Sequence, residues 1–183
     1  MKKKIFIGIA VVLVLVVGRM VNGIMTTRNH SPEETVTESM GDLSVEVTYC
    51  RPFKKGRLIF GEESADALVP FGKYWRLGAN DATEITFSKD VTFAGKPIAA
   101  GSYRMYAIPG ADKWKVTLNS ELDKFGAFQP DSELDVLSVD VPVKSNEAET
   151  EQFTIELNTT DEDVSMDFIW DKTLVSVPIN LTQ

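Results

Sequence analysis

The eight residues from Leu43 to Cys50, L-S-V-E-V-T-Y-C, alternate without a break. Leu43, Val45, Val47 and Tyr49 fall on one face of an extended chain, and Ser44, Glu46 and Thr48 fall on the other. Successive side chains of a strand point to opposite faces, so this run predicts an antiparallel strand with one face in a core and one in water. Cys50 falls on the polar-pattern face. Upstream, Thr35 to Met40 is a second extended run, and Gly41-Asp42 between the two has the length and residue types of a hairpin turn.

Further along the chain the same period returns. Glu84 to Ser88, Val91 to Phe93, Pro97 to Ala99 and Ser102 to Ile108 read as strands, broken at Ala94-Gly95-Lys96 and Ala100-Gly101. After the loop Pro109-Gly110-Ala111-Asp112, the alternating sets are Trp114/Val116/Leu118, Leu137/Val139/Val141/Val143 and Phe153/Ile155/Leu157. Beyond the acidic turn Asp161-Glu162-Asp163 come Val164/Met166/Phe168/Trp170 and Val175/Val177/Ile179/Leu181, with Pro178 marking an edge or bulge. About ten strands at spacings of roughly 8 to 15 residues, with no helix of three turns, predict an all-β fold. The expectation is a single antiparallel β-sandwich or jelly-roll-like domain over residues 35–183. Trp114, Phe153, Phe168 and Trp170 are expected in its core.

The N-terminus is of a different kind. Lys2, Lys3 and Lys4 precede an uncharged apolar run from Ile5 to Gly18, followed by Arg19 and a mixed tail to Met25. A basic start and an apolar run make a secretory signal, and counting on to Met25 gives the roughly 20 residues of a membrane-spanning helix. Residues 1–25 are therefore expected to be an uncleaved single-pass anchor, with the lysines in the cytoplasm and the domain outside it, in the periplasm. The alternative is a secreted protein after cleavage, for which only Val21-Asn22-Gly23 offers a site. Residues 26–34 read as a polar stalk.

The net charge is −8, which argues against nucleic acid and anionic lipid surfaces as partners. Cys50 is the single cysteine, so no internal disulfide forms. The single histidine, His30, lies in the stalk, and no Ser-His-Asp or Cys-His arrangement can be built within the domain. One histidine and one cysteine do not fill a zinc site, no phosphate-binding glycine loop is present, and no metal or cofactor is expected. Asp81 and Glu84 are the candidates for acid/base work by carboxylates, against the plainer reading of Asp81 as a turn residue after Asn80.

One stretch does not alternate. Residues 49 to 83 run Y-C-R-P-F-K-K-G-R-L-I-F-G, a short acidic insert, then L-V-P-F-G-K-Y-W-R-L-G-A-N-D-A-T, with three arginines, two prolines and four glycines in 35 positions. Gly and Pro at that density set the backbone at defined places, which predicts a long but ordered loop. Such loops on a β scaffold carry binding and catalysis. The loop is also locally basic, with Arg51, Lys54, Lys55, Arg57, Lys73 and Arg76 against Glu62, Glu63 and Asp66. Arg51, Arg57 and Arg76 offer planar donor forks to a carboxylate, phosphate or polyol. Tyr49, Phe53, Phe60, Tyr74 and Trp75 are the choices for a flat apolar wall, and Asn80 and Thr83 add neutral hydrogen-bonding groups. The plainer reading pairs the arginines with internal acids to close the loop over the core.

The strings Y-x-R-P, K-G-R-x-I-F-G, L-V-P-F-G-K-x-W-R-x-G-A-N and A-T-x-I-T-F-S-K-D-V together resemble the bacterial family called domain of unknown function 2911. The segments at Gly101 to Gly110, Trp114 to Val116 and Phe125 to Phe128 fit as well, so the resemblance runs from Ser31 to Leu181. It implies an envelope-associated protein of Bacteroidetes-like bacteria and implies no activity. The expectation is thus a membrane-anchored exported β-sandwich that binds a small polar or anionic ligand, such as a saccharide. The binding residues would be Tyr49, Arg51, Arg57, Trp75, Arg76, Asn80 and Thr83. A carboxylate enzyme acting on glycans without histidine, and a purely structural module of the envelope, are the alternatives.

Overall fold

The computed structural model describes residues 13–19, 23, 27–160 and 163–182. Residues 13–19 are helical with their side chains exposed. Among the described residues no helix is long and apolar enough to cross a membrane. Most of the expected anchor, and Asp161-Glu162 of the acidic turn, lie outside the described residues.

The rest is all-β. The strands are β1 (Glu33–Met40), β2 (Leu43–Cys50), β3 (Phe60–Gly61), β4 (Val69–Pro70), β5 (Thr83–Phe87), β6 (Val91–Phe93), β7 (Lys96–Ile98), β8 (Gly101–Ile108), β9 (Lys113–Asn119), β10 (Asp135–Thr159) and β11 (Val164–Leu181). Nine of them form one antiparallel run in the order β1-β2-β5-β8-β9-β10-β11-β6-β7. The short parallel pair β3-β4 stands apart. Met40 and Leu43 are partners across a two-residue turn, as the Gly41-Asp42 signal requires. β1 begins at Glu33, two residues before the point where the alternation places it, and its ladder against β2 runs from Glu33↔Cys50.

Two long strands turn this run into a sandwich. β10 pairs with β9 through Asp135 to Pro142, then passes to β11 through Val143 to Thr159. Its pairing with β11 shifts register between Ser145 and Thr154, and bulges of this kind bend a strand and increase its twist. The side chains of the two layers meet between them. Phe87 of β5 packs on Phe93 of β6 at 6.2 Å between ring centroids, and Trp114 of β9 packs on Phe168 of β11 at 6.1 Å. The expected core residues Trp114, Phe153, Phe168 and Trp170 are all buried.

The alternating sets at Leu137 to Val143 and Phe153 to Leu157, which read as separate strands, are one strand. So are Val164 to Trp170 and Val175 to Leu181. The intervening Lys144 to Gln152 are mostly exposed. No buried face imposes alternation on them, although the backbone pairing continues.

The sheet is not closed, and Tyr49 spans the remaining gap. Its phenol accepts a hydrogen bond from the Ile155 backbone N–H of β10 at 2.8 Å and donates to the Glu34 carboxylate of β1 at 2.9 Å. Burial, the largest cause, pushes this phenol well above its ordinary titration range, and the bond to Glu34 adds to it. Tyr106 is pushed up to about 12, again chiefly by burial and then by its bond to Asp135. A phenol whose folded pKa is raised contributes stability that is complete below the unfolded value of about 10 and is lost as the pH rises through the folded value. The domain therefore loses stability from about pH 10 upward. Tyr49→Phe, which strands the Ile155 N–H, is expected to cost about 1–3 kcal/mol at pH 7. The same variant should flatten the alkaline loss, measured by urea denaturation between pH 7 and 11.

Candidate functional site

The long loop between β2 and β5 is ordered by its backbone. Trp75 and Ala107 of β8 exchange both N–H···O bonds, at 2.8 and 2.9 Å, and Phe53 and Asp81 make single bridges to Gln152 and Phe125. The Trp75 ring enters the core and meets Phe60, Trp114, Phe153 and Trp170 at centroid distances of 5.0 to 5.9 Å. Just after it the chain turns tightly, with Leu77 at φ 54°, Gly78 at φ 150° and Asn80 at φ 54°. Three residues in sparsely populated backbone regions persist only where surrounding contacts hold them. Here the Thr83 hydroxyl donates to Leu77 O at 2.7 Å, the Trp75 indole N–H donates to Gly78 O at 3.2 Å, and Leu77 is fully buried.

This turn forms one side of a cleft of about 400 Å³. Phe53, Leu68, Trp75 and Trp170 give it an apolar wall, and His30, Lys55, Arg57 and Arg76 give it its polar groups. Among the described residues no carboxylate lines it. Trp75 and Trp170 are stacked at 5.9 Å with 20° between their planes. Both indole N–H groups are spent on backbone carbonyls, Gly78 O and Glu151 O. What reaches the cleft from this buried pair, Trp75 being 6% and Trp170 2% exposed, is a narrow carbon edge without a donor.

The basic residues of the loop divide into two groups. Arg51 pairs with Glu34 at 2.9 Å, Lys54 with Asp171 and Glu149 at 2.8 Å each, and Lys73 with Glu63 at 3.2 Å. The hydrogen bond to Asp171, then that to Glu149, holds the Lys54 ammonium above its ordinary pKa. The side-chain cations of Lys55, Arg57 and Arg76 have no ion-pair partner among the described residues, although the Lys55 backbone N–H donates to Glu151 Oε1 at 2.8 Å, and these three line the cleft. Arg57 is held by its own turn, donating to Lys54 O at 2.9 Å and to Phe53 O. The one hydrogen bond from the Arg76 side chain among the described residues is a long one, 3.4 Å to Asn80 O. Its stem packs so closely on Gly126 that a Cβ there would lie 2.7 Å from Arg76 Cδ.

Of the seven residues expected to bind, the structure gathers Arg57, Trp75, Arg76 and Asn80 in this cleft and places Tyr49, Arg51 and Thr83 outside it. Tyr49 bridges the strands and Thr83 fixes the turn. Arg51 donates to Phe153 O at 3.2 Å and to the Thr154 hydroxyl at 2.9 Å besides its ion pair. Asp81 and Glu84 do share a second depression of about 310 Å³ with Asp123 and Lys124. There Asp81 is paired with Arg28 at 3.0 Å and Glu84 accepts the Asp123 N–H at 2.8 Å, so both carboxylates hold the loops together. Cys50 is buried on what reads as a polar face, because Gly78 comes up against its carbonyl and Glu33 and Asp81 stand over its thiol. Burial pushes that thiol up, which keeps it neutral and unreactive in the closed fold.

The sequence reading missed His30 and Ser31, placed in a stalk, and Trp170, seen only as core. Their spacing carries no signal, because they arrive from opposite ends of the chain.

An open-sheet β-sandwich with one cationic, aromatic-walled cleft is the class these features define. The family model described as a protein of unknown function, DUF2911, matches residues 31–179, and the chain belongs to that family. No curated protein and no solved structure matches it.

The turn behind the cleft has a sharp test. A Cβ on Gly78 would sit 2.6 Å from Cys50 O, whereas one on Gly41, also at positive φ, would meet nothing within 4 Å. Gly78→Ala is expected to cost about 3 kcal/mol, and Gly41→Ala about 1. Thermal melts should therefore separate the two variants by roughly 4 to 8 °C.

Proposed function

We propose that this domain binds a small organic anion with a flat or apolar body, such as an aromatic acid, an acidic sugar or a sugar phosphate. One observation carries the reading. In a chain of net charge −8, acids neutralise half of the basic loop, and the three cations left without an acid converge on the cleft with the stacked tryptophans. Guanidinium forks suit carboxylate and phosphate groups, and a carbon-faced tryptophan wall suits a ring. Like charges brought together in this way repel each other unless an anion joins them. We further propose that the protein works outside the cytoplasm, tethered by its N-terminal segment. The lysines and apolar run at its start support that placement. The carboxylate-enzyme reading draws less support, because Asp81 and Glu84 are engaged in holding loops.

A thermal-shift screen of the full chain tests the binding reading. An anion at a hundred times its Kd stabilises by about 2.7 kcal/mol, which for a chain of this size is roughly 5 to 10 °C. Arg76→Ala is expected to abolish that shift while lowering the melting temperature of the unliganded protein by less than about 2 °C, since it breaks no ion pair. A neutral analogue of the best anion should give no shift. Full retention of the shift in Arg76→Ala, or silence across organic acids and phosphates, would refute the proposal.

A further inference from the structure

The cleft has a wall that does not come from the sandwich. His30 and Ser31 line it, and they belong to the segment leading in from the N-terminal apolar run. Three separate contacts lay this segment across the loop. Arg28 pairs with Asp81 at 3.0 Å, the Asn80 amide donates to Ser31 O at 3.3 Å, and Lys55 Nζ lies 3.3 Å from His30 Nδ1. Asn80 and Lys55 are themselves cleft residues, so the segment engages two of the groups that would otherwise face a ligand.

We propose that residues 28–31 are a strap that completes the anion cleft. A bound anion holds the strap down, and the strap in turn sets how tightly the anion is held. This rests on the anion-binding reading of the same cleft. The fastening is weak by construction. The Arg28 side chain is 69% exposed and its partner Asp81 35% exposed, and an ion pair this wet holds its partners by only a small margin. The strap, Arg28-Asn29-His30-Ser31, has no apolar side chain to bury, and its first three residues are exposed. An anion bridging Arg57 and Arg76 to the strap supplies the missing attraction. Coupling of this kind is reciprocal: whatever lifts the strap weakens the anion, and the anion resists the lifting. Occupancy of the cleft and the placement of the N-terminal segment thereby become one equilibrium.

The chain carries its own reporter. Cys50 is the sole cysteine, 2% exposed, and it lies beside Asp81, the acid with which Arg28 pairs. Its Sγ and carboxylate oxygens of Glu33 and Asp81 all lie within 4.8 Å of one another. Lifting the strap releases its contacts to Asp81 and Asn80, the residues beside that thiol. The experiment follows reaction of Cys50 with a water-soluble aromatic disulfide, in which the thiolate attacks the disulfide and releases a coloured thiolate. The full chain is used with citrate and inorganic phosphate as anions, and melting temperatures are recorded in parallel.

Without anion, Arg28→Ala is expected to react about two- to fivefold faster than wild type, the range an exposed ion pair allows. Lys113→Ala, which breaks the equally exposed pair with Asp140, should react at the wild-type rate. With an anion that raises the melting temperature, wild type should react severalfold more slowly, and Arg28→Ala should bind that anion severalfold more weakly. Equal rates for wild type and Arg28→Ala without anion would overturn the strap and leave the binding reading intact. So would a melting shift with no change in the Cys50 rate. No melting shift with either anion would overturn the coupling together with the binding of those anions, a result that the parallel melts identify.

Discussion

The burial of Trp75 is the constraint on which the rest of this structure depends. Its backbone exchanges two hydrogen bonds with Ala107, and its ring closes a five-membered aromatic cluster with Phe60, Trp114, Phe153 and Trp170. A large loop must be held against the conformational entropy of its many residues, and the packing of Trp75 is joined in this by the bridges at Phe53 and Asp81 and by Ile59, Val69 and Leu77, which bury their side chains in the same core. The proposed binding surface is the outer side of this anchor. The wall of the cleft is rigid because it is also the floor of the loop.

Electrostatics then sorts the residues that the anchor brings together. An acidic domain neutralises most of its cations cheaply, and the ion pairs of Arg51, Lys54 and Lys73 show this on the loop itself. Even the buried Arg104 beneath the neighbouring loop finds Glu121, the Tyr74 hydroxyl and Phe128 O. Against that background the cluster of Lys55, Arg57 and Arg76 has a physical meaning. Acids are abundant in this chain and absent from this cleft, so leaving three cations there without one costs electrostatic energy. A ligand that carries the missing charge recovers it.

Much of the fold was legible because a half-buried strand writes its period into the sequence. Leu43 to Cys50 and Trp114 to Leu118 lie in strands, as does all of Glu84 to Ser88 but its last residue, and the Gly41-Asp42 turn sits where its residues put it. The family was legible from the loop motifs. The period fails where burial fails. The exposed middle of β10 carries no alternation, and one bent strand reads as two. The site was half legible for a related reason. Composition marks the loop as basic and aromatic, but composition does not say which arginine meets an acid. Tyr49 and Arg51 are two residues apart on an extended chain and so point the same way, toward β10 and away from the cleft. Arg57, Arg76 and His30 converge only through the chain's path, which no local pattern records.

The same path gives the cleft its character. A pocket cut wholly from one sheet is as rigid as the sheet. This one is assembled from a strained turn at 77–80, a basic turn at 53–57, the Trp170 ring and a segment from the N-terminus. Their stabilities differ widely. The turn is locked by Thr83 and by close approach to Cys50, the tryptophan is in the core, and the N-terminal segment is fastened by polar contacts that are exposed or part-buried. Local opening draws on the elements with the least buried apolar surface, so the N-terminal segment is the part that moves while the other three keep their geometry. On the proposed function, specificity for the ligand's body falls to the rigid aromatic and guanidinium groups, and the response to the ligand falls to the N-terminal strap.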